Sequence, residues 1–191
     1  MTHEKNISKL IISSLFYLAA LFISGIYEIN CISNYIGKEL EISFKISGYT
    51  SLLVSSVISI IAIGLSLIII LLINTIFKIS ISVDDIIVGF TDITSVLIIF
   101  ELIKLCLSIL TIEKNLDSIN MNLDVVDQLK TSSWYFWQST INFASLLFSS
   151  AIFGLSLYAM NGRKNLSKPV LLSVILFFSF YISNIDFFNS L

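Results

Sequence analysis

The chain has 191 residues, 56% of them hydrophobic and 13% charged, with a mean hydropathy of +0.94. Soluble domains carry about a quarter charged residues, so this composition excludes a water-soluble globular domain and points to a polytopic membrane protein. Eleven basic against 13 acidic residues leave no basic field for nucleic acid.

A hydrocarbon core about 30 Å thick needs about 20 apolar residues of helix. Five segments predict an all-α bundle of five spans in one integral membrane domain over residues 1–191. The first is Leu10–Tyr27; Lys5 and Lys9 precede it. No small-x-small site follows, so it reads as an uncleaved span rather than a signal peptide. The second, Tyr49–Phe77, is uncharged. The third, Ile86–Ile109, carries Asp92, Glu101 and Lys104 among 15 strongly apolar residues. Those apolar residues favour insertion by about 4 to 9 kcal/mol. A central charge costs about 2.5 to 3.5 kcal/mol, so this span needs partner helices. The fourth is Trp134–Met160. The fifth, Val170–Phe188, is opened by Pro169, the only proline, which suits a first helical turn.

Basic residues set the orientation. Lys5, Lys9, Lys78, Arg163, Lys164 and Lys168 fall on one side of a five-span chain, and Lys38, Lys45, Lys114 and Lys130 on the other. The richer side is cytoplasmic, which puts the N-terminus inside, in a prokaryotic cytoplasmic membrane. Glu28–Gly48 and Leu110–Ser133 then become outer loops. Within Glu39–Ser47, apolar and polar residues alternate, which predicts a half-buried strand. Within Thr111–Leu129, Ile112, Leu116, Ile119, Leu123 and Val126 recur at helical steps and predict an amphipathic helix. Its other face carries Glu113, Asp117, Asp124 and Asp127. Such a face gains nothing from anionic lipid, so Leu116 and Leu123 are candidates for binding a protein partner.

Catalytic chemistry is hard to place. A nucleophilic triad needs a base beside its nucleophile. The only histidine, His3, reads as a solvated tail residue. Cys31 and Cys106 match no zinc or redox spacing. Asp84-Asp85 read as carboxylates favouring a helix N-terminus. There is no metal-binding, phosphate-binding or cofactor motif, and the chain reads as a non-enzyme without cofactors.

Two constellations remain. Glu101 and Lys104, three residues apart, share a helix face, and ionisable groups at membrane depth are functional candidates. They read as a neutralising pair or as an ion pathway. The fourth span carries a polar stripe of Gln138, Asn142, Ser145, Ser149 and Ser156. Counted from the outer ends, Asn142 lies at the depth of Glu101 and Gln138 at that of Lys104, so the four form one candidate intramembrane polar site. On the second span, Gly48, Ser51, Ser55, Ser59, Ala62 and Ser66 form a small-residue stripe, a candidate helix-packing seam.

Two stretches resemble a known family. Ser43-Phe44-Lys45-Ile46-Ser47-Gly48-Tyr49 is a polar Phe-Lys approach to a Gly-Tyr helix entry. Ser150-Ala151-Ile152-Phe153-Gly154-Leu155-Ser156, followed by Arg163-Lys164-Asn165-Leu166-Ser167-Lys168, is an apolar-Gly-Leu helix end and a basic loop before the final span. Both resemble the bacterial branch of the YIP1 family of five-span membrane proteins. In that family one more span precedes the first stretch and fewer separate the two, which implies an alternative in which the third segment does not cross. The resemblance implies a non-enzymatic protein acting through partners, and it supplies no catalytic residue.

The sequence therefore leads to an integral membrane protein contacting lipid and acting as a subunit, scaffold or sensor, in a homo-oligomer or a membrane protein complex. The alternatives are a small transporter or channel using Glu101 and Lys104, or a membrane immunity or phage-defence protein.

Overall fold

The structure is a computed structural model that describes residues 2–36, 38–117, 125–161 and 166–189. Every regular element among them is a helix: α1 (Thr2–Tyr35), α2 (Lys38–Ile76), α3 (Val83–Leu116), α4 (Val125–Lys130), α5 (Ser133–Met160) and α6 (Ser167–Asn189). Four of these, α1, α2, α3 and α5, are long and apolar enough to cross a membrane. The apolar part of α6, Ser167–Ile182, is shorter.

The helices run well past the predicted spans, and this changes three expectations. Glu39–Ser47 is helix, not strand. No second strand is present among the described residues to pair its edge, whereas a helix satisfies its own backbone groups. The Lys45 Nζ to Glu41 Oε1 contact of 2.6 Å, one turn apart, supports that helix. The expected outer loop from Glu28 to Gly48 shrinks to the link between Tyr35 and Lys38, and Glu28 becomes a helical residue of α1. His3 is solvated, as expected, but it is helix rather than tail: it lies exposed in the first turn of α1, with Nδ1 2.6 Å from Asp84 Oδ1.

Contacts order the helices in a closed ring: α1 packs on α3, α3 on α5, α5 on α6, α6 on α2, and α2 on α1. α1 and α3 are parallel. His3–Asp84, Ser13–Thr94, Glu28–Ser108 and Tyr35–Asp117 all pair at separations of 80 to 82 residues. α5 runs antiparallel to α3, with pairs from Ser108–Gln138 to Asp92–Ser156. α1 and α2 are likewise antiparallel, through Asn30–Tyr49 and the seat of Leu52 on Gly25. One end of the ring, here called proximal, therefore holds the start of α1, the α2–α3 turn and the α5–α6 link. The distal end holds the α1–α2 link and α4.

The two halves of the ring differ. The proximal half is filled by Ile70, Ile86, Phe90, Ile93, Phe153, Leu157, Leu172 and Leu176, all wholly buried, with the Phe90 and Phe153 rings edge to face at 5.3 Å. Its α2–α3 turn passes through left-handed backbone at Lys78 and Ser80. Asn74 holds it, donating to the Ile81 carbonyl at 2.9 Å and accepting from the Ile81 N–H at 3.2 Å. Ser82 then caps α3 by accepting from the Asp85 N–H. At the distal end a smaller cluster of Ile112, Leu116, Leu129 and Trp134 joins α3, α4 and α5, with Tyr27, Cys31 and Ile32 of α1 against it. Outward, α2 exposes Leu53, Val57, Ile61, Leu65, Ile68 and Leu72 as one long apolar stripe, a surface suited to lipid rather than water.

Candidate functional site

Between the dry proximal half and the distal end lies a cavity of about 130 Å³. All five long helices contribute walls: Tyr17 and Leu21 from α1, Ser55, Ser59 and Ala62 from α2, Leu97, Glu101 and Lys104 from α3, Asn142 and Ser145 from α5, and Phe180 from α6. Tyr17, Ser59, Glu101 and Leu146 each stand near the middle of their helices, so the cavity lies at mid-height.

Its charge is concentrated on α3. The Lys104 ammonium contacts the Glu101 carboxylate one turn away, and both side chains are largely buried. Lone charges at this depth would be costly; as a pair they present a buried dipole to the cavity. Around them are Tyr17, the Asn142 amide and the hydroxyls of Ser55, Ser59 and Ser145. Ser55 and Ser59 donate to their own helix, to Leu52 O and Ser55 O, each at 2.9 Å, and Ser145 to Asn142 O at 2.7 Å. A serine oxygen that donates can still accept, and Ser59 is also the hydrogen-bond partner of Tyr17 across the cavity wall.

The predicted polar site is thus divided. Glu101, Lys104 and Asn142 meet at the cavity. Gln138 instead turns to Glu28 Oε1, at 2.8 Å, and to Ser108 Oγ, at 2.7 Å. Ser55, Ser59 and Ala62, expected in a packing seam, line the cavity, and only Ser66 is buried. Leu116 is 1% exposed, packed inside the chain against Ile112, Leu129 and Trp134, so it offers no face to a partner. Leu123, like Arg163 and Lys164, lies outside the described residues. On the α5 stripe, Ser156 donates to Asp92 Oδ2 at 2.6 Å. Ser149 Oγ is the one buried side-chain polar atom without a partner among the described residues. Cys31 and Cys106 are free thiols.

Sequence reasoning missed Tyr17, Glu28 and Ser108. A signal existed. Tyr17, Leu21 and Glu28 share a helix face at steps of four and seven, and Ser108 stands seven residues beyond Glu101. Ending the first span at Tyr27 hid it.

Compared with protein-family models, with curated proteins and with solved structures, the chain matches none.

Proposed function

We propose that the protein is a non-enzymatic five-span membrane protein of a prokaryotic cytoplasmic membrane. In this reading it is a sensor subunit that binds a small polar solute or ion at mid-depth. The observation that carries the reading is the cavity itself: five helices wall it, the Glu101–Lys104 pair polarises it, and an apolar plug closes it proximally. Polar sites at mid-depth, between helices, are where membrane proteins hold solutes and ions. The plug argues for a one-sided site rather than an open channel.

The α6 helix supplies the fifth crossing. Its 23 residues at 1.5 Å each reach about 34 Å. Lys5, Lys9, Lys78 and Lys168 gather at the proximal end, which supports a cytoplasmic N-terminus. The resemblance to the YIP1 family agrees with a non-enzymatic membrane role. Binding through the outer segments has less support, because Glu39–Ser47 belongs to α2 and Thr111–Leu116 to α3.

The test is accessibility. In a Cys31→Ser, Cys106→Ser background, Ser59→Cys should react with methanethiosulfonate ethylammonium added from the distal side only. Leu176→Cys, in the plug, should react from neither side. Reaction of Ser59→Cys from both sides would favour the channel reading, and reaction from neither would end the binding reading.

A further inference from the structure

Glu28 is an acid that the cavity does not use. It lies on the cavity-lining face of α1, about 10 Å in from the distal end of that helix. Ser108 Oγ donates to its carboxylate at 2.6 Å and Gln138 Nε2 at 2.8 Å. Ser108 Oγ in turn accepts from Gln138 Nε2 at 2.7 Å and from the Trp134 indole N–H at 3.1 Å. Ser108 is one turn beyond Lys104 on α3, and Gln138 is one turn before Asn142 on α5. The cluster therefore sits one turn distal to the cavity. Lys104 lies between Glu101 and this cluster along α3, and its ammonium contacts Glu101. Tyr17 is the other titratable wall residue. Among the described residues α2, α5 and α6 bring no charged side chain to the cavity walls.

We infer that Glu28 is a proton-uptake site, loaded from the distal solution and coupled to the Glu101–Lys104 pair beneath it. The inference rests on the cavity reading above. The partners select a proton over a metal ion. A metal cation needs a shell of oxygen acceptors, whereas the groups bonded to this carboxylate are a hydroxyl and an amide N–H, both donating. Donors stabilise the carboxylate and burial stabilises the acid, so both forms are within reach. In loading, one O–H bond of hydronium breaks, leaving water, and one O–H bond forms on Glu28. The new hydroxyl forms on Glu28 Oε2, while Oε1 goes on accepting from Ser108 Oγ and Gln138 Nε2 as a carbonyl oxygen. Neutralising Glu28 removes a negative charge close to the Glu101–Lys104 pair; releasing the proton to water restores it. The apolar plug ends the path at the cavity, so uptake is reversible from one side and no proton crosses.

The test is pH-dependent infrared difference spectroscopy of the full chain in phosphatidylcholine vesicles. One buried carboxyl should titrate in the native protein and its band should vanish in Glu28→Gln. Gln138→Leu removes one donor from the carboxylate and should raise the midpoint by about one pH unit. Vesicles holding a pH-sensitive dye should show no steady proton flux. Absence of a titrating buried carboxyl, a band that survives Glu28→Gln, or steady flux would overturn the inference. Where Glu28→Gln does not fold, an unmoved midpoint in Gln138→Leu overturns it. Labelling of Ser59→Cys is independent of the band, so a lost band with retained distal labelling removes the proton site and leaves the cavity reading standing.

Discussion

Lys104 illustrates how much one side chain carries in this interior. Removing one partner of a buried ion pair costs about 3 to 5 kcal/mol, because the other charge is left uncompensated. Lys104→Leu is therefore expected to be the most damaging change at the cavity, with a clear loss of thermal stability in detergent. Glu101→Leu combined with Lys104→Leu should recover most of it, since no charge remains to be paired. Glu101→Gln leaves the ammonium an amide oxygen but no counter-charge, so it should also destabilise, though less than Lys104→Leu, and it should abolish response if the pair is the functional element. An unfolding series in which the double variant is worse than Lys104→Leu alone would refute this account. Gly89 is a second sensitive residue. A Cβ there would lie 2.7 Å from the Phe153 ring, which is wholly buried and pressed against Phe90. Gly89→Ala should cost about 1 to 3 kcal/mol by overpacking, measurable as a lowered unfolding temperature with unchanged insertion.

At the level of the helices, the Ile86–Ile109 part of α3 shows how a segment with three charged residues can sit inside the bundle. Its insertion balance is close to zero when counted residue by residue. The fold improves it by giving Asp92 the Ser156 hydroxyl and Glu101 the Lys104 ammonium. The need for partner helices was legible in the composition of the segment; the identity of Ser156 was not, since it lies 64 residues away. The Glu39–Ser47 stretch taught the opposite lesson. Its alternation matches a strand, but Leu40, Ile42 and Ile46 are exposed, so no buried face exists for the pattern to serve. The α2–α3 turn depends on Asn74, which makes the two hydrogen bonds to Ile81. Asn74→Leu leaves the Ile81 N–H and carbonyl unpaired beside the core. It should cost about 1 to 3 kcal/mol, seen as reduced stability and faster proteolysis near Lys78.

The whole molecule is a ring of alternating helices with both parallel neighbours, α1 and α3, on one side. The proposed topology places Thr131, at the distal end, and Ser167, at the proximal end, on opposite faces of the membrane, with α5 crossing between them. Both residues are exposed. In the cysteine-free background, Thr131→Cys and Ser167→Cys should label with an impermeant maleimide from opposite sides of sealed vesicles. Labelling from the same side would mean that α5 does not cross. The ring also explains why the cavity lies at mid-height. The large apolar side chains of α3, α5 and α6 fill the proximal half, while small residues of α2 and polar residues of α3 and α5 meet above them.

The sequence alone determined the all-helical class, the approximate positions of the apolar segments and the paired nature of Glu101 and Lys104. These are local properties: hydropathy over a helical length, and two residues three positions apart on one helix. Only the tertiary structure decided what lies across from them. That Ser59 lines a cavity, that Leu116 turns inward, and that Glu28 meets Ser108 and Gln138 depends on the order of helices around the ring. That order arises from packing between residues 80 or more positions apart in α1 and α3, where no short-range pattern in the chain can record it.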